Sequence, residues 1–231
     1  VPLFGPVHLA LIAATAAIAW ALSALCRAGR VSHKAFRYSL GLGLAANEFV
    51  WWWFRYSREG VRLDNLPLQL CDLTVWLSVA ECLTLAPGIV EFNYFAGLTG
   101  AGMAVLTPDL WSPWPSYPAI YFFVAHGGIV VAASVLVFGR IAAPLRRGAV
   151  WRAYAYLLSY TIAVGIFNAV TGANYMFLRY KPESGSLLDL LGPWPLYVIA
   201  GAALALGFFW LLWLPAWALG AAQGTKTADP A

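Results

Sequence analysis

The chain has 231 residues, of which 61% are hydrophobic and only 10% charged, with a mean hydropathy of +0.72. An ordinary soluble domain carries about a quarter of its residues as charge, so these values exclude one and point to a polytopic membrane protein. The formal net charge of +4 sits mostly in short connections and reads as a topology signal, with no place for nucleic-acid binding.

The apolar stretches reach the ~20 residues needed to cross ~30 Å of hydrocarbon. In chain order the predicted spans are Val7–Cys26, Ala35–Tyr56, Leu66–Ala86, Ile89–Leu106, Ala119–Phe138, Val150–Thr171 and Pro195–Trp217. The first is read as an anchor, because it is too long for a signal-peptide h-region and no basic residue precedes it. No connection is long enough for a soluble domain. The expected organisation is therefore all-α: one bundle of seven transmembrane helices over residues 1–222, with a polar tail over 223–231.

Orientation follows from the basic residues. Arg27, Arg30, Lys34, Arg37, Arg140, Arg146, Arg147, Arg152 and Lys226 fall on one side of the predicted bundle, against Arg55, Arg58, Arg62, Arg179 and Lys181 on the other. By the positive-inside rule the N-terminus is outside and the C-terminus cytoplasmic. Trp51, Trp52, Trp53, Trp111 and Trp114 are expected at the outer interface, and Trp213 and Trp217 at the inner one.

Depth can then be counted by helical rise. Entering at Leu66 and Ala119, the third and fifth spans bring Cys71 and His126 to ~8 and ~10 Å below the outer surface, level within about one turn. Glu48 falls at ~12 Å on the second span, with Asn47 and Asp72 in the same layer and Asn168 just above it. An ionised Asp at a helix centre costs ~2.5–3.5 kcal/mol on insertion scales, so such residues face the bundle interior, and a polar layer implies a wet cavity. The layer lacks HExxH or any His or Cys pair at metal-ligand spacing, and no G-x-S-x-G elbow or phosphate loop is present. No metal and no cofactor are expected.

A buried thiol is inert without a base. His126 is placed to supply one, so that Cys71 attacks an ester carbonyl and hands the acyl group to an acceptor hydroxyl. Asp72 or Glu48 is the expected orienting group for the imidazole, and Asn47, Gln69 or Asn168 the oxyanion donor. The opposing reading makes Cys71 a small hydrophobe, His126 an interhelical hydrogen-bond donor, and the layer a ligand or ion site in a transporter or receptor.

Leu68-Gln69-Leu70-Cys71-Asp72-Leu73, Ala125-His126-Gly127, the run Ala173–Pro182 and the run Leu187–Pro195 resemble YwaF-type bacterial integral membrane proteins. These are in turn similar to the animal transmembrane acyltransferases that remodel ether phospholipids. The resemblance covers nearly the whole chain. It implies transfer of a fatty acyl chain from a phospholipid to a lysophospholipid, with Cys71 and His126 at the positions of the catalytic pair and membrane phospholipids as donor and acceptor. Arg179 and Lys181, beside Asn174 and Tyr175, are placed to hold a lipid phosphate. The segment from Asn174 to Pro195, interrupted by Pro182 and Ser184-Gly185-Ser186, is expected to cap the cavity.

Overall fold

The computed structural model describes residues 2–110, 112–182 and 187–221. Trp111, Ser184 to Ser186 and the tail from Gln223 with Lys226 lie outside the described residues. Regular structure among those described is helical: α1 (Pro6–Arg27), α2 (His33–Glu59), α3 (Leu70–Thr84), α4 (Pro87–Leu106), α5 (Tyr117–Phe138), α6 (Ala149–Thr171) and α7 (Leu196–Ala218), with short 3-10 turns at Tyr175–Phe177 and Leu187–Leu191. Local chemistry explains the boundaries. Pro6, Pro87 and Pro118 stand in first turns, where their missing N–H costs nothing, and Ser32 caps α2 by accepting from Ala35 N–H. Gly172 stops α6 at φ 82°, a left-handed conformation that suits a residue without Cβ.

Five helices, α1, α4, α5, α6 and α7, are long and apolar enough to cross a membrane. The exceptions are α2, whose 27 residues include six charged ones and are not apolar enough, and α3, whose 15 residues reach only ~22 Å. Cross-links between helix ends set α1 antiparallel to α4 and α2 antiparallel to α3, and α4 parallel to α6. His8 at the start of α1 bonds through Nε2 to the Val105 carbonyl near the end of α4 (2.8 Å). Arg37 at the start of α2 donates to the Cys82 and Leu83 carbonyls at the end of α3 (2.7 and 2.8 Å). Glu91 at the start of α4 takes both Arg146 and Arg152 from the start of α6.

Helix α5 is the axis of the bundle and packs against α1, α2, α3 and α4. Small side chains permit this: Ala119, Ala125, Ala132 and Ala133 are all buried, and Gly128 faces Leu44 of α2 so closely that a Cβ there would lie 2.5 Å from Leu44 Cδ2. The other helix pairs leave α7 on the outside, with Leu196, Ile199, Leu211 and Leu214 exposed, as suits a surface that lipid covers.

Inside α4 the backbone widens to a π turn over Asn93–Gly97. There Asn93 Nδ2 donates to Ser78 Oγ and Glu81 Oε1 of α3 (2.8 and 2.7 Å). Glu81 is fully buried; it belongs to this interhelical clasp. Glu91 holds the two arginines. Of the three consecutive tryptophans expected at the outer interface, Trp51 and Trp52 are buried and only Trp53 faces outward. Three successive residues span about 200° of helix, so one face cannot hold them all.

Candidate active site

The segment before α3 is not helical. The predicted entry at Leu66 moves to Leu70, because Pro67 disfavours a helical Leu66 and Tyr175 ties down the strand of chain before it, its hydroxyl accepting from Leu66 N–H and donating to Leu63 O. Gln69 caps the helix, and the Asp72 carboxylate reaches back to the Gln69 N–H (3.0 Å), one half of a capping box. Cys71 is therefore the second residue of α3 and not one turn inside it. That places its sulfur at the positive end of the helix, among N–H groups that have no carbonyl one turn back.

His126 lies in the middle of α5 with 9% of its surface exposed. Its Nδ1 is 2.7 Å from the Phe122 carbonyl, and a carbonyl only accepts, so Nδ1 carries the proton and Nε2 keeps its lone pair. The ring also packs on that of Phe122, centroids 4.1 Å apart. The orienting group is thus the backbone of the preceding turn of α5. The carboxylates expected in that role are engaged elsewhere: Asp72 at the cap, and Glu48 with Tyr121 Oη (2.8 Å) and Trp52 Nε1 (3.2 Å).

Cys71 and His126 line one cavity of about 560 Å³. Its wall includes Gln69, Asp72 and Val75 around the start of α3, Tyr121, Phe122, Ala125 and Ile129 of α5, Trp51, Phe54, Arg55, Arg58 and Glu59 of α2, and Asp109. Phe177, from the turn after α6, closes one side. The carboxamide of Gln69 accepts from Met176 N–H through Oε1 (2.8 Å), which leaves its NH2 as the donor on a residue of the cavity wall. Among the three amides expected to donate to an oxyanion, Gln69 is the one that lines this cavity. Asn168 is occupied in both directions by the Tyr175 backbone (2.9 and 3.0 Å), and Asn47 is not part of the wall, its Nδ2 buried without a partner.

The residues expected to hold a headgroup are also elsewhere. Asn174 organises its own loop, accepting from Arg179 N–H and Tyr180 N–H and donating to Tyr180 O. Lys181 pairs with Asp189 at 3.6 Å and lies over the Tyr197 ring. Arg179 points an Nη1 at the Ala173 carbonyl (3.5 Å), and Tyr175 is the buried tie described above. What the loop contributes to the cavity is Phe177, while Met176 N–H holds the Gln69 carboxamide.

Several wall residues go unnoticed in the sequence. Trp51, Phe54, Arg55, Arg58 and Glu59 recur at helical spacing along α2, on a stripe that starts at Glu48 and that a periodicity count brings out. Tyr121, which joins this stripe to α5 by its bond to Glu48 and by stacking on Trp51 (4.2 Å between centroids), has no local signal. Among the described residues no group of three His, Cys, Asp or Glu is placed to hold a metal.

Searches of the curated proteins and of the solved structures return no match. The family comparison is different: the model of the TMEM164 family, a transmembrane family, matches residues 3–214, and over that extent, which takes in all seven helices but the last turn of α7, this chain belongs to the TMEM164 family.

Proposed function

We propose that the protein is a membrane acyltransferase that moves a fatty acyl chain between phospholipid and lysophospholipid through a thioester on Cys71. The observation that carries this reading is the joint presence of Cys71 and a tautomer-fixed His126 on the wall of one cavity. His126 Nε2 takes the thiol proton, and the sulfur attacks the ester carbonyl of the donor lipid. The N–H groups at the start of α3 and the Gln69 amide stabilise the oxyanion. Collapse breaks the ester bond, and the departing lysophospholipid oxygen takes the proton from His126. The acceptor hydroxyl then attacks the thioester, giving its proton to His126, and the thiol is regenerated as its sulfur leaves.

The same reading makes all seven helices spans, with N-terminus outside and C-terminus cytoplasmic in a bacterial cytoplasmic membrane. The charges that set α2 apart lie near its ends or on the cavity stripe, and the short α3 starts below the outer surface, where irregular backbone is tolerated because it lines a cavity. A site in the outer half is closed to acyl-CoA from the cytoplasm, so the donor is a bilayer lipid.

Intact-protein mass spectrometry after incubation with phospholipid tests this. The expected result is an added acyl mass that hydroxylamine removes, absent in Cys71→Ser and formed roughly 10²- to 10⁴-fold more slowly in His126→Ala. An adduct that persists in Cys71→Ser, or that never forms in quenched-flow samples with several lipid classes, overturns the proposal.

A further inference from the structure

The cavity has a composition that the chemistry at Cys71 does not use. Besides Cys71 and His126 its wall holds the aromatic rings of Trp51 and Phe54 and two guanidinium groups, Arg55 and Arg58, at the C-terminal end of α2. Arg58 has no carboxylate partner among the described residues; its Cζ lies 3.8 Å over the Phe54 ring. A basic residue in the last turn complements a helix C-terminus, which accounts for Arg58 in the chain but not for its place on the cavity wall. Arg55 pairs with Glu59 at 3.1 Å, in an (i, i+4) contact whose carboxylate is 55% exposed. Such a pair contributes little and opens readily. Arg55 also lies within electrostatic reach of Asp72, next in sequence to Cys71, so this cationic end and the nucleophile belong to one space.

Three acids share the wall, and each has a role. Glu59 faces Arg55 and also takes Asn65 Nδ2 (3.4 Å), Asp72 is held at the α3 cap, and Asp109 lies in the connection after α4 and has an interaction of its own. An apolar, aromatic body with planar cationic forks at one end fits a ligand with an acyl chain and a doubly accepting oxyanion, because a guanidinium matches a phosphate with two parallel N–H bonds.

We propose that Arg58, with Arg55 beside it, recognises a phosphate headgroup, so that the ester lipid presented to Cys71 is a phospholipid and not a neutral glycerolipid; this rests on the acyl-transfer reading. The guanidinium of Arg58 stays stacked on Phe54 and turns its open N–H edge to the phosphate, while Arg55 exchanges Glu59 for the same group. Recognition by these two residues takes over the part expected of Arg179 and Lys181.

The test measures binding and acylation separately on detergent-solubilised full-length protein. Isothermal titration of Cys71→Ser compares a lysophospholipid with a monoacylglycerol of the same chain and with glycerol phosphate. The expected result is tight binding of the lysophospholipid alone, weakened roughly tenfold or more by Arg58→Gln or Arg55→Gln on the same background while the monoacylglycerol value stays put. Equal affinity for the two lipids, equal loss of both in the variants, or glycerol phosphate binding as tightly as the lipid overturns the proposal. Where Arg58→Gln does not fold, Arg58→Lys is read instead, since it keeps the charge and loses the fork: weaker lysophospholipid binding supports the proposal, and unchanged binding overturns phosphate recognition by the fork. The two readings fail differently. Phosphate-selective binding without any Cys71 adduct in the wild type sinks acyl transfer and leaves this site standing; an adduct formed equally well from phospholipid and diacylglycerol does the reverse.

Discussion

At the scale of single residues, the hydroxyl of Tyr121 is a sharp test of how the cavity wall is held. It donates to Glu48 Oε1 at 2.8 Å, where the carboxyl is wholly buried. Tyr121→Phe keeps the stack on Trp51 and removes that donor, so the penalty is that of a buried acceptor left short, about 1–3 kcal/mol. Thermal unfolding in detergent is expected to drop by several degrees, whereas Glu48→Gln with Tyr121 intact, which keeps a hydrogen-bonding acceptor, is expected to drop less. At this scale counting depth by helical rise puts Cys71 and His126 in one layer; the count for Cys71 starts from Leu66, whereas α3 starts at Leu70, and what the structure gives is that both residues line one cavity. The sequence was not readable where the partner is backbone. The Phe122 carbonyl that fixes His126 is present in any helix, and no residue pattern marks it. Asp72 and Glu48 drew attention as charges, although their bonds go to a cap and to a tyrosine that only the folded bundle brings near.

At the scale of elements, the contact of α2 with α5 depends on Gly128. An added methyl at that position meets Leu44 Cδ2 at 2.5 Å, and Leu44 is itself buried, so Gly128→Ala is expected to cost about 1–3 kcal/mol through overpacking. Leu44→Ala leaves a void of its own, yet the two together should be less destabilising than the sum of the singles, a coupling that a double-mutant cycle on melting temperature measures. Strict additivity would place Gly128 outside the contact. Helix positions were legible because hydropathy and length are properties of a segment. The start of α3 was less so, since a hydropathy window runs on through Leu66 and Leu68, apolar residues that sit in irregular chain; Pro67 and the Gln69 to Asp72 cap are the signals that counter it. The stripe along α2 was legible as a period, but its arginines were taken up by the positive-inside count, in which a charge has a side and no direction.

For the whole molecule, the two ends of the bundle divide the labour. The cavity with Cys71 lies at the end where α2, α4 and α6 finish, and the Glu91 ion cluster lies at the other. Glu91 is 3% exposed and receives both Arg146 and Arg152, whose side chains are 47% and 36% exposed. Glu91→Gln breaks the pairing from its buried side, with an expected cost of about 3 kcal/mol, the low end for a buried pair because both arginines regain water. Melting temperature should fall while the rate of Cys71 acylation, measured well below the transition, changes little; a matched loss of rate would show that the ends are coupled through α3 and α4.

The bond between Gln69 Oε1 and Met176 N–H, and the place of Phe177 on the cavity wall, bear on the order in which the protein is made. Synthesis delivers the thiol first, the imidazole later, and Met176 only 50 residues after His126. A nascent chain that holds both reactive side chains still lacks the wall that shuts the cavity and the N–H that orients the Gln69 amide. On the acyl-transfer proposal competence therefore arrives late in membrane insertion, and a chain arrested after α5 carries Cys71 and His126 but neither Phe177 nor the partner of the Gln69 amide.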